Sequence, residues 1–202
     1  MSSRKRSFSS RLTGPKSFKR TKVNASLPTV RRTTDRVEVK RHHVAFQRVG
    51  TTTSQLVQVG QIDAGTGSGD RDGRAIKQLY SEINIHVDSA EELRLIFFKW
   101  SNALSPPSVG DILRTFSSSF GVAGYNVNYA GTYTVYLDKW LQGGGAPSHA
   151  HRYMVKHPFV QTYFGTDADD AANTTLWCLL VSPDDGAIEP FNATCSTSYT
   201  DI

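Results

Sequence analysis

The residues best placed to do chemistry lie in GTGSGDRDGRAIK (65–77), where Gly65, Gly67 and Gly69 alternate ahead of a crowded run of charge. Glycine-rich turns that end in a basic residue hold nucleotide phosphates in many enzymes, because backbone N–H groups and a helix N-terminus converge on the anion. The spacing here fits neither known form. A P-loop has four residues between its glycines and then Gly-Lys-Ser/Thr, and a dinucleotide fingerprint has Gly-x-Gly-x-x-Gly opening a helix. Beyond residue 74 the chain has the alternation of a strand, and Asp70 and Asp72 repel an anion. The stretch therefore reads as a connection whose glycines supply positive φ, with Arg71 and Arg74 projecting from its end.

Other candidates are weaker. His149, His151 and His157 share one face if they lie on a strand, yet a metal site needs at least three converging ligands and a supporting shell, and no cysteine or carboxylate stands near them in sequence. His42 and His43 are equally unspecific. DADD (167–170) offers oxygens for calcium but lacks the EF-hand glycine and closing glutamate. NAS (24–26), NTT (173–175) and NAT (192–194) match the glycosylation acceptor, without a secretion signal to give them meaning. No nucleophile elbow is present. The expectation is a protein that is not an enzyme and carries no cofactor or metal.

Charge is the strong signal. Residues 1–41 hold 13 Lys/Arg against Asp35 and Glu38, or +11, while the remaining 161 residues hold 10 Lys/Arg and 16 Asp/Glu, or −6. The basic residues Arg4, Lys5, Arg6, Arg11, Lys16, Lys19, Arg20, Lys22, Arg31 and Arg32 are spread among Ser and Thr, with Phe8 and Phe18 between them. Such a composition cannot bury enough surface to offset ordering entropy, so residues 1–41 are expected to form a disordered arm. Each phosphate it neutralises releases a counterion, which gives salt-sensitive binding to nucleic acid without sequence preference. Arginine grips phosphate bidentately, and phenylalanine stacks on unpaired bases. SRKRS and KSFKRTK also fit a nuclear import signal.

The body that carries these groups, residues 42–202, is read as one all-β domain. Strand-like segments fall at 43–49, 55–62, 75–88, 92–100, 131–140, 151–164, 174–182 and 190–200. In the third, Leu79, Ile83, Ile85 and Val87 are expected on one face. ELRLIFFKW (92–100) and TTLWCLLVS (174–182) are apolar on both faces, which calls for a second element or a second subunit over the far side. One short helix is predicted over 108–116, with Ser108 and Asp111 at capping-box spacing after Pro106 and Pro107. Cys178 and Cys195 read as small buried hydrophobes. No run of 18 uncharged apolar residues exists, so no membrane insertion is expected, and MSSRKRSFSS lacks the apolar centre of a secretion signal, which predicts a protein kept inside a cell.

Several of these segments resemble, in order, the capsid proteins of circovirus-like circular single-stranded DNA viruses that encode a replication initiator. GTGSGDRDGRAIKQLYSEINIHV (65–87) is similar to their glycine-rich turn, Arg-x-Gly step and following strand. LRLIFFKW (93–100), SPPSVGDIL (105–113), YAGTYTVYLDKW (129–140), TTLWCLLVSPDDG (174–186) and SYTDI (198–202) resemble the later strands and the short helix. The resemblance covers about residues 45–202; the arm fits by composition only.

It implies a single eight-stranded jelly roll of two four-stranded antiparallel sheets. Sixty copies would assemble into an icosahedral virion around a circular single-stranded DNA genome, after passage through the host nucleus by its import machinery. Sixty arms of +11 would bring about 660 positive charges to that genome. For Arg71 and Arg74 the sequence leaves two contacts open, nucleic acid or a neighbouring subunit, and the second is the expectation. Satellite viruses with single-stranded RNA use a similar subunit. A non-viral nucleic-acid chaperone with a basic tail, or a cupin-like enzyme with metal on the three histidines, are the rivals from other classes.

Overall fold

Period-2 alternation governs the longest strands. In the computed structural model, which describes residues 37–49, 52–88, 92–102, 105–114, 123–142, 149–165, 171–183, 187–188 and 190–202, eight strands form. Contacts divide the chain into Met1–Asp35 and Arg36–Ile202, and the described residues all belong to the second unit. β1 (Lys40–Gln47), β8 (Phe191–Asp201), β3 (Ala75–Val87) and β6 (His149–Thr162) pair in that order in one antiparallel sheet. β2 (Ser54–Gln58), β7 (Thr175–Val181), β4 (Glu92–Trp100) and β5 (Tyr133–Gln142) form the other. Only β4 and β5 are neighbours both in sequence and in a sheet; elsewhere the chain crosses between sheets. This is the eight-stranded jelly roll. Among the described residues no helix is long and apolar enough to cross a membrane.

The core lies between the sheets. Ile83, Ile85 and Val87 of β3 meet Leu93, Leu95 and Phe97 of β4 and Leu176, Cys178 and Leu180 of β7, all buried. At about 1.5–3 kcal/mol for each large apolar side chain removed from water, this layer is the main stabilising term. Leu79 does not join it. A register shift between Gln78 and Tyr80 inverts the alternation before Tyr80, so Gln78 turns inward with Ile76 and Leu79 is half-buried, while Ser81 keeps the inward phase of Ile83.

β4 and β7 are apolar on both faces for a reason found within the chain. On the far side of their sheet, Ile96, Phe98, Trp100, Leu179 and Val181 form a second buried cluster with Ile112, Leu113 and Ala123. Those last residues belong to the excursion between β4 and β5, which holds α1 (Val109–Ile112) and a 3₁₀ turn, η1 (Val127–Tyr129). The helix is one turn, shorter than expected. It starts where the capping residues place it: the Asp111 carboxylate accepts from both the amide and the hydroxyl of Ser108, each at 2.8 Å. Cover therefore comes from the chain's own excursion.

Arg94, on β4, fastens that cover. Its Nε and terminal nitrogen donate to the two Asp138 oxygens at 3.0 and 2.8 Å, and another nitrogen donates to the Ala123 carbonyl at 2.8 Å. Tyr125 donates its hydroxyl to the same carboxylate at 2.5 Å. Burial pushes the Asp138 carboxyl up, but the hydrogen bonds from Arg94 and Tyr125 outweigh it and leave it below the usual carboxylate range.

β1 begins at Lys40, so two cations assigned to the arm lie on a strand of the barrel. Residues 1–39 then carry 11 Lys/Arg against Asp35 and Glu38, or +9, and the body −4. β2 ends early: the Val59 and Gly60 amides both donate to the Leu176 carbonyl, and a side chain on Gly60 would collide with Leu176 backbone.

Replacing Arg94 by alanine would strand the Asp138 carboxylate, which is only 29% exposed, beneath the excursion. We expect a loss of about 3 kcal/mol, the lower end of the range for broken buried pairs, in equilibrium urea unfolding. A loss under half of that would show that packing alone holds the cover.

Candidate functional sites

The glycine-rich stretch closes on its own carboxylate. Gly67 donates its amide to Asp70 Oδ2 at 2.9 Å, Asp70 returns its amide to the Gly67 carbonyl at 3.1 Å, and the Arg71 amide bonds the Asp63 carbonyl at 2.9 Å. The place a phosphate would take beside the Gly67 amide is held by Asp70. The glycines are there for space, which corrects the expectation of positive φ: none of Gly65, Gly67, Gly69 or Gly73 lies in the left-handed region. A Cβ on Gly67 would sit 2.8 Å from Asp70 Oδ2, and one on Gly69 2.9 Å from the Arg41 carbonyl oxygen.

Arg71 does not project to a neighbour. It is 1% exposed, its Nε donates to the Ile62 carbonyl at 3.1 Å, and its guanidinium lies 3.9 Å over the Tyr163 ring. Tyr163 in turn accepts the Ile62 amide on its hydroxyl at 3.0 Å. Arg71 thus stitches the turn to the end of β6, and cation–π contact adds to its hydrogen bonds. Arg74 is exposed.

Lys40 completes the fastening. Its Nζ reaches Asp72 Oδ2 at 2.6 Å, Asp201 Oδ2 at 2.9 Å and the Asp70 carbonyl at 3.0 Å, tying the start of β1 to the turn and to the C-terminal strand. The hydrogen bond to Asp72 and the charge of Asp201 hold the ammonium above its ordinary pKa, and Lys40 holds Asp72 below its own. A positive charge counted with the arm in the sequence is thus held by carboxylates of the fold.

Of the three histidines on β6, His151 and His157 lie six residues apart. His149 opens β6 opposite Val87, His151 is half-buried, and His157 is fully buried. Among the described residues no three His, Cys, Asp or Glu side chains come together as a metal site. His43 is exposed and meets Ser196 Oγ through Nδ1 at 2.6 Å, whereas His42 turns inward, where burial lowers its pKa. DADD (167–170) and the arm residues Arg4, Lys5, Arg6, Arg11, Lys16, Lys19, Arg20, Lys22, Arg31 and Arg32 lie outside the described residues.

The interior carries a polar chain that sequence patterns did not expose. His157 Nε2 and Ser81 Oγ share a hydrogen bond of 2.8 Å, Ser81 Oγ and Thr197 Oγ1 one of 2.9 Å, and Cys195 lies beside Thr197. Phe97, Tyr136 and Phe159 surround the imidazole with ring centroids 5.5–5.9 Å away. Ser81 and His157 have the spacing of a nucleophile and its base, but both are fully buried. Burial lowers the His157 pKa to about 4, so the ring is neutral near pH 7. The only advance signal is the break in β3 alternation at Gln78–Ser81.

No protein-family profile and no curated protein matches the sequence. Among solved structures, one of infectious bursal disease virus, Gx strain, is similar over 81% of this chain and 32% of that chain, at 7% identity and TM-score 0.30. A crystal structure of the VP2 subviral particle of infectious bursal disease virus is similar over 81% of this chain and 41% of that one, at 8% identity and TM-score 0.22. The chain spans 32% and 41% of the length of these two chains. The fold assignment rests on strand order and not on these similarities.

The buried histidine and the stacked arginine each give a measurable outcome. Unfolded histidine takes up a proton near pH 6.5 and folded His157 only near 4, so stability falls as pH drops through that window and levels off below it. The shift corresponds to about 3 kcal/mol, and His157→Gln should remove that part of the pH dependence in thermal unfolding. Arg71→Ala should lower the unfolding midpoint while leaving affinity for a single-stranded oligonucleotide unchanged; weakened binding in a stable variant would place Arg71 among the nucleic-acid contacts.

Proposed function

We propose that this protein is the coat subunit of a small icosahedral virus of the circovirus-like kind, and that its N-terminal segment packages a circular single-stranded DNA genome. The observation that carries this reading is the segregation of charge: +9 on residues 1–39 joined directly to the edge strand of a jelly roll whose own net charge is −4. Jelly rolls serve in viral capsids, lectins and cupins. Of these, a coat is the role that needs a cationic end for a polyanion and a body that does not itself collapse onto it.

The charge count is of the right scale. Sixty subunits would bring about 540 positive charges to the interior, lower than a count that includes Lys40 and Arg41, and still enough to neutralise a substantial part of a small genome. Single-stranded nucleic acid follows a curved wall more readily than a duplex, which resists bending. Assembly as sixty copies, passage through the host nucleus and residence in the virion belong to the same reading. The basic clusters SRKRS and KSFKRTK are suited to import receptors before they meet the genome. A closed shell also requires complementary apolar edges, and exposed Val160, Phe164 and Ile202 are candidates for them.

The test is expression of the whole chain followed by electron microscopy and nuclease digestion of the co-purified nucleic acid. Closed particles of uniform diameter holding DNase-sensitive material are expected. Deleting residues 2–34 should leave the barrel folded and empty the particles. Small soluble oligomers would favour a nucleic-acid chaperone, RNase-sensitive contents a satellite-type RNA coat, and normal packaging by the truncated chain would refute the arm's role.

A further inference from the structure

The outer faces of the two sheets are unlike. The β2–β7–β4–β5 sheet has its outer face covered by the excursion between β4 and β5. The outer face of β1–β8–β3–β6 carries no such apolar cover among the described residues, and its charge runs against the body's. Arg41, Lys77, Arg152 and Lys156 point outward against Glu82 on the strands and Asp88 just beyond β3, where it meets outward-facing His86 at 2.9 Å, giving +2 on a body of −4.

At one end of this face the strands form a shallow groove of about 730 Å³, within the range of ~300–1,000 Å³ typical of ligand sites. Two cross-strand rows line it: Gln47, Asn192, His86 and Ala150, then Ala45, Thr194, Asn84 and Arg152. Small side chains at Ala45, Ala150 and Thr194 keep the floor low, so a ligand can approach the sheet. The amides of Asn84, Asn192 and Gln47 bring both donors and acceptors to the floor and rim.

Arg152 is held through Nε by Glu82 at 2.9 Å while its side chain remains 69% exposed, which presents a guanidinium fork to an oxyanion. In the next row Met154 is 63% exposed, an adaptable apolar contact beside the cations.

Cations for phosphate, amides for base edges and an apolar contact for base faces match unpaired nucleotides. An open four-stranded sheet is a platform that other folds use for single-stranded nucleic acid. A docking site for a second copy would call instead for a larger apolar patch or balanced charge.

We infer that the open face of the β1–β8–β3–β6 sheet is a second nucleic-acid contact, distinct from the N-terminal segment. It takes unpaired nucleotides in the Gln47–Arg152 groove and turns toward the genome in the assembled coat. The second half of this statement rests on the coat reading; the first does not.

The test uses the full chain and an oligodeoxythymidylate in which bromodeoxyuridine replaces some residues. Ultraviolet crosslinking and mass spectrometry should place adducts on peptides spanning 84–86, 150–156 and 192–196 as well as on residues 1–39. In parallel, the double variant Arg152→Gln, Lys156→Gln changes two exposed side chains. Losing two phosphate contacts should lower the slope of log affinity against log salt by about 1.4, with an unchanged unfolding midpoint.

Crosslinks confined to residues 1–39 with an unchanged slope overturn the inference and leave the coat reading standing. A variant that binds normally but no longer assembles also overturns it, because the face is then a contact between subunits. Absence of any nucleic-acid binding by the whole chain defeats the proposed function itself.

Discussion

Two strands with apolar side chains on both faces constrain this fold more than any other feature. A sheet that buries Leu93, Leu95 and Phe97 on one side and Ile96, Phe98 and Trp100 on the other cannot leave either face in water. The first set makes the sandwich core. The second forces the chain between β4 and β5 to fold back as a lid, and the Arg94–Asp138–Tyr125 cluster aligns that lid against the sheet. With one outer face closed by the chain's own excursion, the other sheet carries no such apolar cover among the described residues.

That asymmetry gives the charge distribution a direction. A basic N-terminal segment leads into β1, the edge strand of the open sheet, and the open sheet is itself cationic. Lys40 marks the transition between the two roles. Upstream, positive charge has no carboxylate partners in sequence before Asp35; from Lys40 onward, carboxylates of the turn and of β8 meet it. The glycine-rich turn serves this junction. Its residues bind their own anion, Asp70, and their arginine stacks on Tyr163, so the turn is a clamp on the start of β1 and the end of β6.

The interior polar chain has a different physical character. Ser81 bridges His157 Nε2 and Thr197 Oγ1 in a low-dielectric setting where an unpaired hydroxyl is costly, while the other imidazole nitrogen, Nδ1, is buried without a partner among the described residues. The imidazole is neutral, wrapped by aromatic rings, and belongs to packing. Cys178 and Cys195, buried in the same region, behave as the small hydrophobes their positions imply.

The amino-acid sequence alone determined the number and type of strands, the short helix with its capping pair, the buried cysteines and the segregation of charge. Each of these is local: alternation, turn composition and charge counts are read within a few residues. Tertiary structure alone decided where Gln78 and Leu79 point, because a bulge inverts a face and leaves little compositional trace. It decided that the far side of β4 meets its own excursion and not a partner, since burial on both faces does not name the cover. It made structural groups of Arg71, read as projecting from the turn, of Lys40, counted with the arm, and of His157, weighed as a metal ligand. A charged or titratable side chain announces its chemistry in sequence, but its role depends on which distant carbonyls, carboxylates and rings the fold brings within hydrogen-bonding reach.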